Sequence, residues 1–102
     1  MFRKFKMEKK KELEKLKLKI IKILKKRGIK KAAIFGSFAR GEQKKGSDID
    51  ILIEPPEGMG MEFFGLNLEL ENELGLKVDL LTYKSINPHL KEYILADEVR
   101  II

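Results

Sequence analysis

Two aspartates one residue apart, Asp48 and Asp50, follow a Gly36-Ser37 pair after ten intervening residues in a chain of 102. Side chains two apart on a strand share a face, which sets these carboxylates about 7 Å apart at Cα. Bare carboxylates that close repel, and one tends to keep a proton. A divalent cation removes the conflict, and hard oxygen ligands select magnesium or manganese. Asp79 sits in a later apolar run beside Val78 and Leu80, where a carboxylate is costly unless it is paired or metal-bound. If the strand bearing Asp79 lies beside the one bearing Asp50, three carboxylates converge. Such a cluster suits two-ion chemistry, one ion activating a hydroxyl and the other steadying a leaving phosphate.

The Gly36-Ser37 turn supplies backbone N–H groups at a helix start, where anions are favoured. The Ser37 hydroxyl can donate to a phosphate oxygen. Arg40, one turn on, can clamp phosphate with its planar fork. Taken singly, each residue has an ordinary alternative. Gly36 can end a strand, Ser37 can cap a helix, Arg40 can pair with Glu42, and Ser47 and Asp48 can be turn residues. It is their conjunction, with Asp79 in the next long strand, that points to nucleotide chemistry. Gly41 and Gly46 have Walker spacing, but Ser47 stands where that loop needs lysine. The later ligands of an EF-hand are missing.

The elements that must position these residues follow from apolar spacing. Residues 8–27 form an amphipathic helix with Leu13, Leu16, Ile20, Ile23 and Leu24 on one face, widened by Leu18 and Ile21. Arg27 and Gly28 stop it. Lys31 to Phe35 is a short buried strand, Phe38 to Gly41 a helical turn, and Glu42 to Ser47 a polar loop. Asp48 to Glu54 is the second strand, ended by Pro55-Pro56. Met61 to Leu74 is a helix whose apolar spacing runs through Phe64, Leu68 and Leu74, broadened by Phe63, Leu66 and Leu70, with Gly75 as its stop. Lys77 to Thr82 is the third strand, Pro88 to Leu95 a last helix, and Val99 to Ile102 a short strand or packed tail. The link between the first two strands is too short for a crossover helix, so they pair antiparallel; the helical link to the third permits a parallel pair. The expectation is an α+β fold of order α-β-α-β-α-β-α, a small mixed sheet with helices packed on it. His89, Tyr83, Tyr93, Phe63 and Phe64 read as packing or surface residues, with one phenylalanine available to line a base pocket.

The length fits one domain over residues 1–102. A basic helix occupies 1–30, a catalytic core 31–82, and a helix and tail 83–102. There is no cysteine, which excludes disulfides, thiolate zinc and cysteine nucleophiles. No apolar run is long enough for a membrane span, and no signal peptide is evident, so a cytoplasmic protein without membrane contact is expected. Residues 1–31 carry 15 Lys/Arg against 3 Glu, a net of +12, while residues 32–102 carry 7 against 13 acids, a net of −6. The basic end is either a solvated face or a surface for nucleic acid or an acidic partner. The absence of interleaved aromatics weighs against a stacking platform. Abundant Lys, Glu and Ile resembles thermophile usage.

The run Gly36-Ser37, then Asp48-Ile49-Asp50, resembles the signature of the DNA polymerase beta superfamily of nucleotidyltransferases. The fuller Gly-Ser-x-Ala-Arg-Gly with Ser-Asp-Ile-Asp is similar to its minimal nucleotidyltransferase (MNT) branch, over about residues 30–82. The resemblance implies that Asp48, Asp50 and Asp79 bind Mg2+, with two ions engaged. It also implies that Gly36, Ser37, Arg40 and Ser47 belong to the nucleotide site. It further implies an MntA-type antitoxin that moves AMP from ATP to a tyrosine of a HEPN-domain toxin. A chain this small lacks an acceptor-binding domain, which independently favours a protein acceptor. Two other readings stay open: a non-catalytic antitoxin that neutralises its partner by binding, and a nucleotidyltransferase directed at RNA. Val99–Ile102 and the first helix offer surfaces for homo- or hetero-oligomers. Base preference and acceptor are not set by these residues.

Overall fold

The computed structural model describes residues 2–102, with side chains from residue 8 onward. Its elements are α1 (Phe2–Lys26), β1 (Ala32–Phe35), α2 (Gly36–Arg40), β2 (Ile49–Ile53), α3 (Glu62–Leu74), β3 (Val78–Thr82), a 3₁₀ turn (Tyr83–Ser85), α4 (Lys91–Ala96) and β4 (Val99–Arg100). The sheet order is β3-β2-β1-β4. β2 runs antiparallel to β1 and parallel to β3, and β4 pairs antiparallel with β1. The α+β class and the mixed sheet agree with expectation. The short loop forces the antiparallel pair, and α3 is the crossover that makes the parallel one.

Strand alternation divides the molecule. Ala32, Ile34, Ile49, Ile51, Ile53, Val78 and Leu80 face the main core, where Leu16, Ile20, Ile23 and Leu24 of α1, Phe38 of α2 and Leu66 and Leu70 of α3 close over them. Ala33, Phe35 and Leu52 point the other way, into a smaller cluster with Ile86, Leu81, Tyr83 and Ile94. The period of two thus builds a thick core on one face and leaves the other only partly covered.

Several expected details differ. α1 starts at Phe2, well before residue 8, and Leu18 on its outer side is 71% exposed. α3 carries two apolar stripes, and the expected spacing followed the wrong one. Phe64 and Leu68 are 63% and 60% exposed, while Leu66 and Leu70 are fully buried. The stripes lie on opposite sides of one helix, so periodicity alone cannot choose between them. Gly75 does stop α3, at φ 67° with its N–H on the Glu71 carbonyl at 2.9 Å. The last helix begins at Lys91, not Pro88, because the 3₁₀ turn and the Asn87 to Leu90 turn take up the preceding chain. Thr82 and Ser85 cap that turn reciprocally. Tyr93, expected to pack, is 76% exposed. Among the described residues no helix is long and apolar enough to cross a membrane.

The stripe assignment is testable by urea unfolding. Leu70→Ala is expected to cost about 2–5 kcal/mol, the usual range for a buried leucine. Leu68→Ala, at an exposed site, is expected to stay within about 0.5 kcal/mol of the parent. Comparable losses in both would show that the two stripes are buried alike in solution.

Candidate nucleotide-transfer site

β1 ends at Phe35 and the chain turns at once into α2. The turn needs Gly36, whose φ is +74°. The space is as restrictive as the dihedral. A Cβ built at Gly36 would run into Asp50 Oδ2 and stand 3.1 Å from Asp50 Cγ. The turn therefore sits directly on the Asp50 carboxylate. No side chain caps α2, whose N-cap residue is Phe35, so the capping role open to Ser37 is not taken. Its carbonyl instead accepts from Glu42 N–H at 2.9 Å, closing the loop back on the turn.

Sheet register sets the rest. Phe35 pairs with Asp50, and Asp50 with Asp79. Directly paired residues share a face, so Phe35, Asp50 and Asp79 form a row across three strands on the less covered side. Phe35, only 8% exposed, shields one flank of Asp50; the Asp79 carboxylate crowds the other. The consequence is electrostatic. Asp50 is pushed up to about 6 from an ordinary 3.8, first by burial, then by the charges of Asp79 and Asp48, with a hydrogen bond to Asp79 adding to the rise. The Arg40 charge opposes the shift. A carboxylate held in this way binds a cation or a proton more readily than a free one.

The geometry corrects two expectations. Asp48 was expected on the strand face beside Asp50. Instead β2 begins at Ile49, and Asp48 lies exposed in the preceding loop, close enough for its charge to reach Asp50. Asp79 was expected to carry the desolvation cost; it is exposed, and Asp50 carries that cost instead. The sheet edge is open at Asp79, whereas Asp50 lies between two strands and under a turn. Arg40 had two readings, a phosphate clamp and a pair with Glu42, and the second is met. Here its Nε donates to Glu42 Oε2 at 2.9 Å and its Nη1 to Asp97 Oδ2 at 2.6 Å. Ser47 Oγ accepts from Lys44 N–H at 2.8 Å and closes the loop before Asp48, a turn role. Two features were beyond sequence reasoning. Asp97 lies 57 residues from Arg40 and carries no local signal. Gln43 is 5% exposed, and its side-chain nitrogen and oxygen have no hydrogen-bond partner; its position in a charged loop predicted exposure.

Among the described residues, no group of three or more His, Cys, Asp or Glu converges closely enough to hold a metal ion as it stands. Magnesium, however, takes only one or two protein carboxylates, filling its shell with phosphate oxygens and water. The Asp50–Asp79 pair meets that need.

The fold and sequence have known relatives. A family model described as a nucleotidyltransferase domain matches residues 17–101. The chain belongs to the nucleotidyltransferase domain family. A relative in Methanocaldococcus jannaschii that carries the name protein adenylyltransferase is 52% identical over 91 residues, covering 88% of this chain and 98% of its own. A solved toxin–antitoxin structure with AMP-PNP superposes with a TM-score of 0.74 at 26% identity, over 84% of this chain and 72% of that one. A second solved complex pairs an MNT antitoxin with a tri-AMPylated HEPN toxin from Shewanella oneidensis. It matches with a TM-score of 0.70 at 22% identity, over 88% of this chain and 71% of the other, a likeness of fold. The chain is a minimal nucleotidyltransferase with the polymerase beta-like architecture that its motif implied.

Proposed function

We propose that this nucleotidyltransferase moves AMP from ATP to a tyrosine hydroxyl of a HEPN-domain toxin and thereby acts as its antitoxin. The observation that carries the reading is the seating of the Gly36 turn on Asp50 with Asp79 in register beside it. A triphosphate held at the turn has its α-phosphorus next to the carboxylate pair. The names of the adenylyltransferase relative and of the complexes with AMP-PNP and with a HEPN toxin support the donor and the partner class.

The residues divide the work. The Gly36 and Ser37 N–H groups face the triphosphate. Asp50 and Asp79, with Asp48 at the loop edge, would hold magnesium. Magnesium bound there would neutralise phosphate charge and acidify the acceptor hydroxyl. Asp79, the exposed member, receives the hydroxyl proton. The acceptor oxygen forms a bond to the α-phosphorus, the bond from that phosphorus to the bridging oxygen of the β-phosphate breaks, and pyrophosphate leaves. Most of the gain comes from positioning and charge neutralisation. Arg40 must exchange at least one of its carboxylate partners for phosphate. Asp97→Asn frees one arm of its fork and is expected to lower the Kd for AMP-PNP about two- to fivefold by calorimetry. A weaker Kd would mean that Asp97 aims Arg40 instead of withholding it.

The direct test is incubation with α-labelled ATP, magnesium and a candidate HEPN-domain protein, followed by mass spectrometry. AMP on a partner tyrosine is expected. Stable complex formation without label, by folded protein, would leave the non-catalytic antitoxin as the working explanation.

A further inference from the structure

Among the described residues six large apolar side chains are exposed, and four of them, Leu18, Met61, Phe64 and Leu68, share one surface. α1 and α3 pack on the main core face of the sheet, joined by the Arg27–Glu69 ion pair at 2.8 Å. Leu18 stands two residues from both Leu16 and Ile20, which are buried against the sheet. Two residues turn a helix by about 200°, so Leu18 points straight outward. Leu68 stands in the same relation to Leu66 and Leu70. Phe64 and Met61 continue its stripe about one and two turns earlier. A row of anchors at this spacing is how a helix face meets a partner.

The two helices differ in charge. α3 holds four glutamates and no lysine or arginine. Glu69 is taken by Arg27 and Glu71 by the Val78 N–H, while Glu62 and Glu73 are exposed and make no ion pair among the described residues. Lys11, Lys15, Lys22 and Lys25 run along the ridge that carries Leu18, exposed and likewise unpaired among the described residues. One surface thus holds an apolar stripe with an acidic flank and, beside it, a leucine set in a basic ridge. The counterpart that each half calls for is the other half of the same surface. A partner of uniform charge would satisfy one half and repel the other. Self-complementarity of this kind is the condition for a two-fold pair. A half-turn about an axis lying in the interface, midway between Leu18 and Leu68, seats the leucine ridge of each copy on the acidic stripe of the other.

We propose that this chain pairs with a second copy of itself through the outer face of α1 and α3, with Leu18 of one copy entering between Phe64 and Leu68 of the other. Two helix widths by the length of α3 give about 20 Å by about 20 Å, roughly 400–600 Å² on each copy. That is the low end for a specific interface, and a reversible dimer follows, with a Kd on the order of 50 µM. Asp50 and Asp79 lie on the other side of the sheet, so both sites stay open and face away from each other. The pairing does not rest on the transfer reading.

Sedimentation equilibrium of the full chain, from about 10 to about 500 µM, tests it. The mean mass is expected to rise toward twice that of the chain. Leu18→Glu and Leu68→Lys are each expected to weaken the dimer about tenfold or more, the first by facing glutamates and the second by facing lysines. An equimolar mixture of these two variants is expected to return to within about threefold of the parent, because one contact then sets opposite charges together and the other is unaltered. Leu90→Ala and Tyr93→Ala remove exposed apolar groups beside α4, on the opposite side of the sheet, and are expected to change association less than about twofold. Circular dichroism checks that each variant keeps its helix content. A parent that stays monomeric to the highest concentration would overturn the pairing. So would equal losses from the α4 variants, or failure of the mixture to recover. A monomeric parent whose Leu68→Lys variant loses binding to a HEPN-domain protein would assign the stripe to that protein instead. No nucleotide is present, so these outcomes are the same whether or not AMP transfer is found.

Discussion

Replacing Asp50 by Asn is expected to cut AMP transfer by about a thousandfold, the scale on which loss of one preorganised charge-stabilising group is felt, while making the metal-free protein more stable at pH 8. The two outcomes have one cause. Asp50 is held up at about 6 by burial and by two like charges. An acid whose folded pKa lies above its unfolded value binds more protons when folded. Stability then falls as pH rises from about 4 to about 6 and stays at the lower level above that window. Asparagine has no charge to desolvate, so its advantage is absent below about pH 4 and full at pH 8. Discounted for the carboxylate's partial exposure, the gain is on the order of 1 kcal/mol, a few degrees in Tm for a chain of this size. Thermal melts at pH 4 and pH 8 without magnesium, and labelled-ATP transfer at pH 8 after magnesium is added, check both halves. A variant that loses activity and is also less stable at pH 8 would show that the Asp50 carboxylate is a structural anchor. Retained activity would remove it from the site.

Gly36→Ala is expected to be as damaging to transfer and, unlike the aspartate change, to weaken the fold. Two penalties add. The φ of +74° costs an L-residue about 1–2 kcal/mol. The new methyl also enters space held by Asp50 Oδ2, and such overpacking costs about 1–3 kcal/mol. The turn can relieve the clash only by lifting away from β2 or by displacing the carboxylate, and either movement separates the phosphate turn from the acid pair. Urea unfolding is expected to show a loss of about 2–5 kcal/mol, and AMP-PNP calorimetry weaker binding. The double variant Gly36→Ala, Asp50→Ala gives a sharper reading. With the carboxylate gone, part of the stability should return, because the clash term vanishes and the dihedral term stays. Strict additivity of the two single effects would mean that turn and carboxylate do not touch in solution.

The order of elements, the antiparallel and parallel pairings and the Asp50–Asp79 neighbourhood were legible because each rests on local rules. Alternation of Ile49, Ile51 and Ile53 fixes which way Asp50 points, and loop length fixes which strands can pair. The apolar stripe of α3 was not legible. Phe64 and Leu68 have the same helical spacing as Leu66 and Leu70, and only the location of the sheet breaks the tie. Nor was the placing of Arg40, since Glu42 is visible nearby in sequence but Asp97 arrives from the far end of the chain. Asp48 stands one residue before the assigned strand, where element ends are least defined by local rules, and its charge still reaches Asp50. Asp79 was assigned a burial that its apolar neighbours have and it does not; on an alternating strand the neighbours of a residue report the opposite face.

That alternation also divides the chain by its tolerance to changes in length. Inserting one residue within Ile49–Ile53 would invert every side chain beyond it and exchange oil for acid across the sheet, so folding and chemistry would fail in one event. The loop of residues 42–47 has no such parity. It can gain or lose a residue and still deliver β2 in phase, which makes it the place where variants of this enzyme can differ in size without differing in reaction.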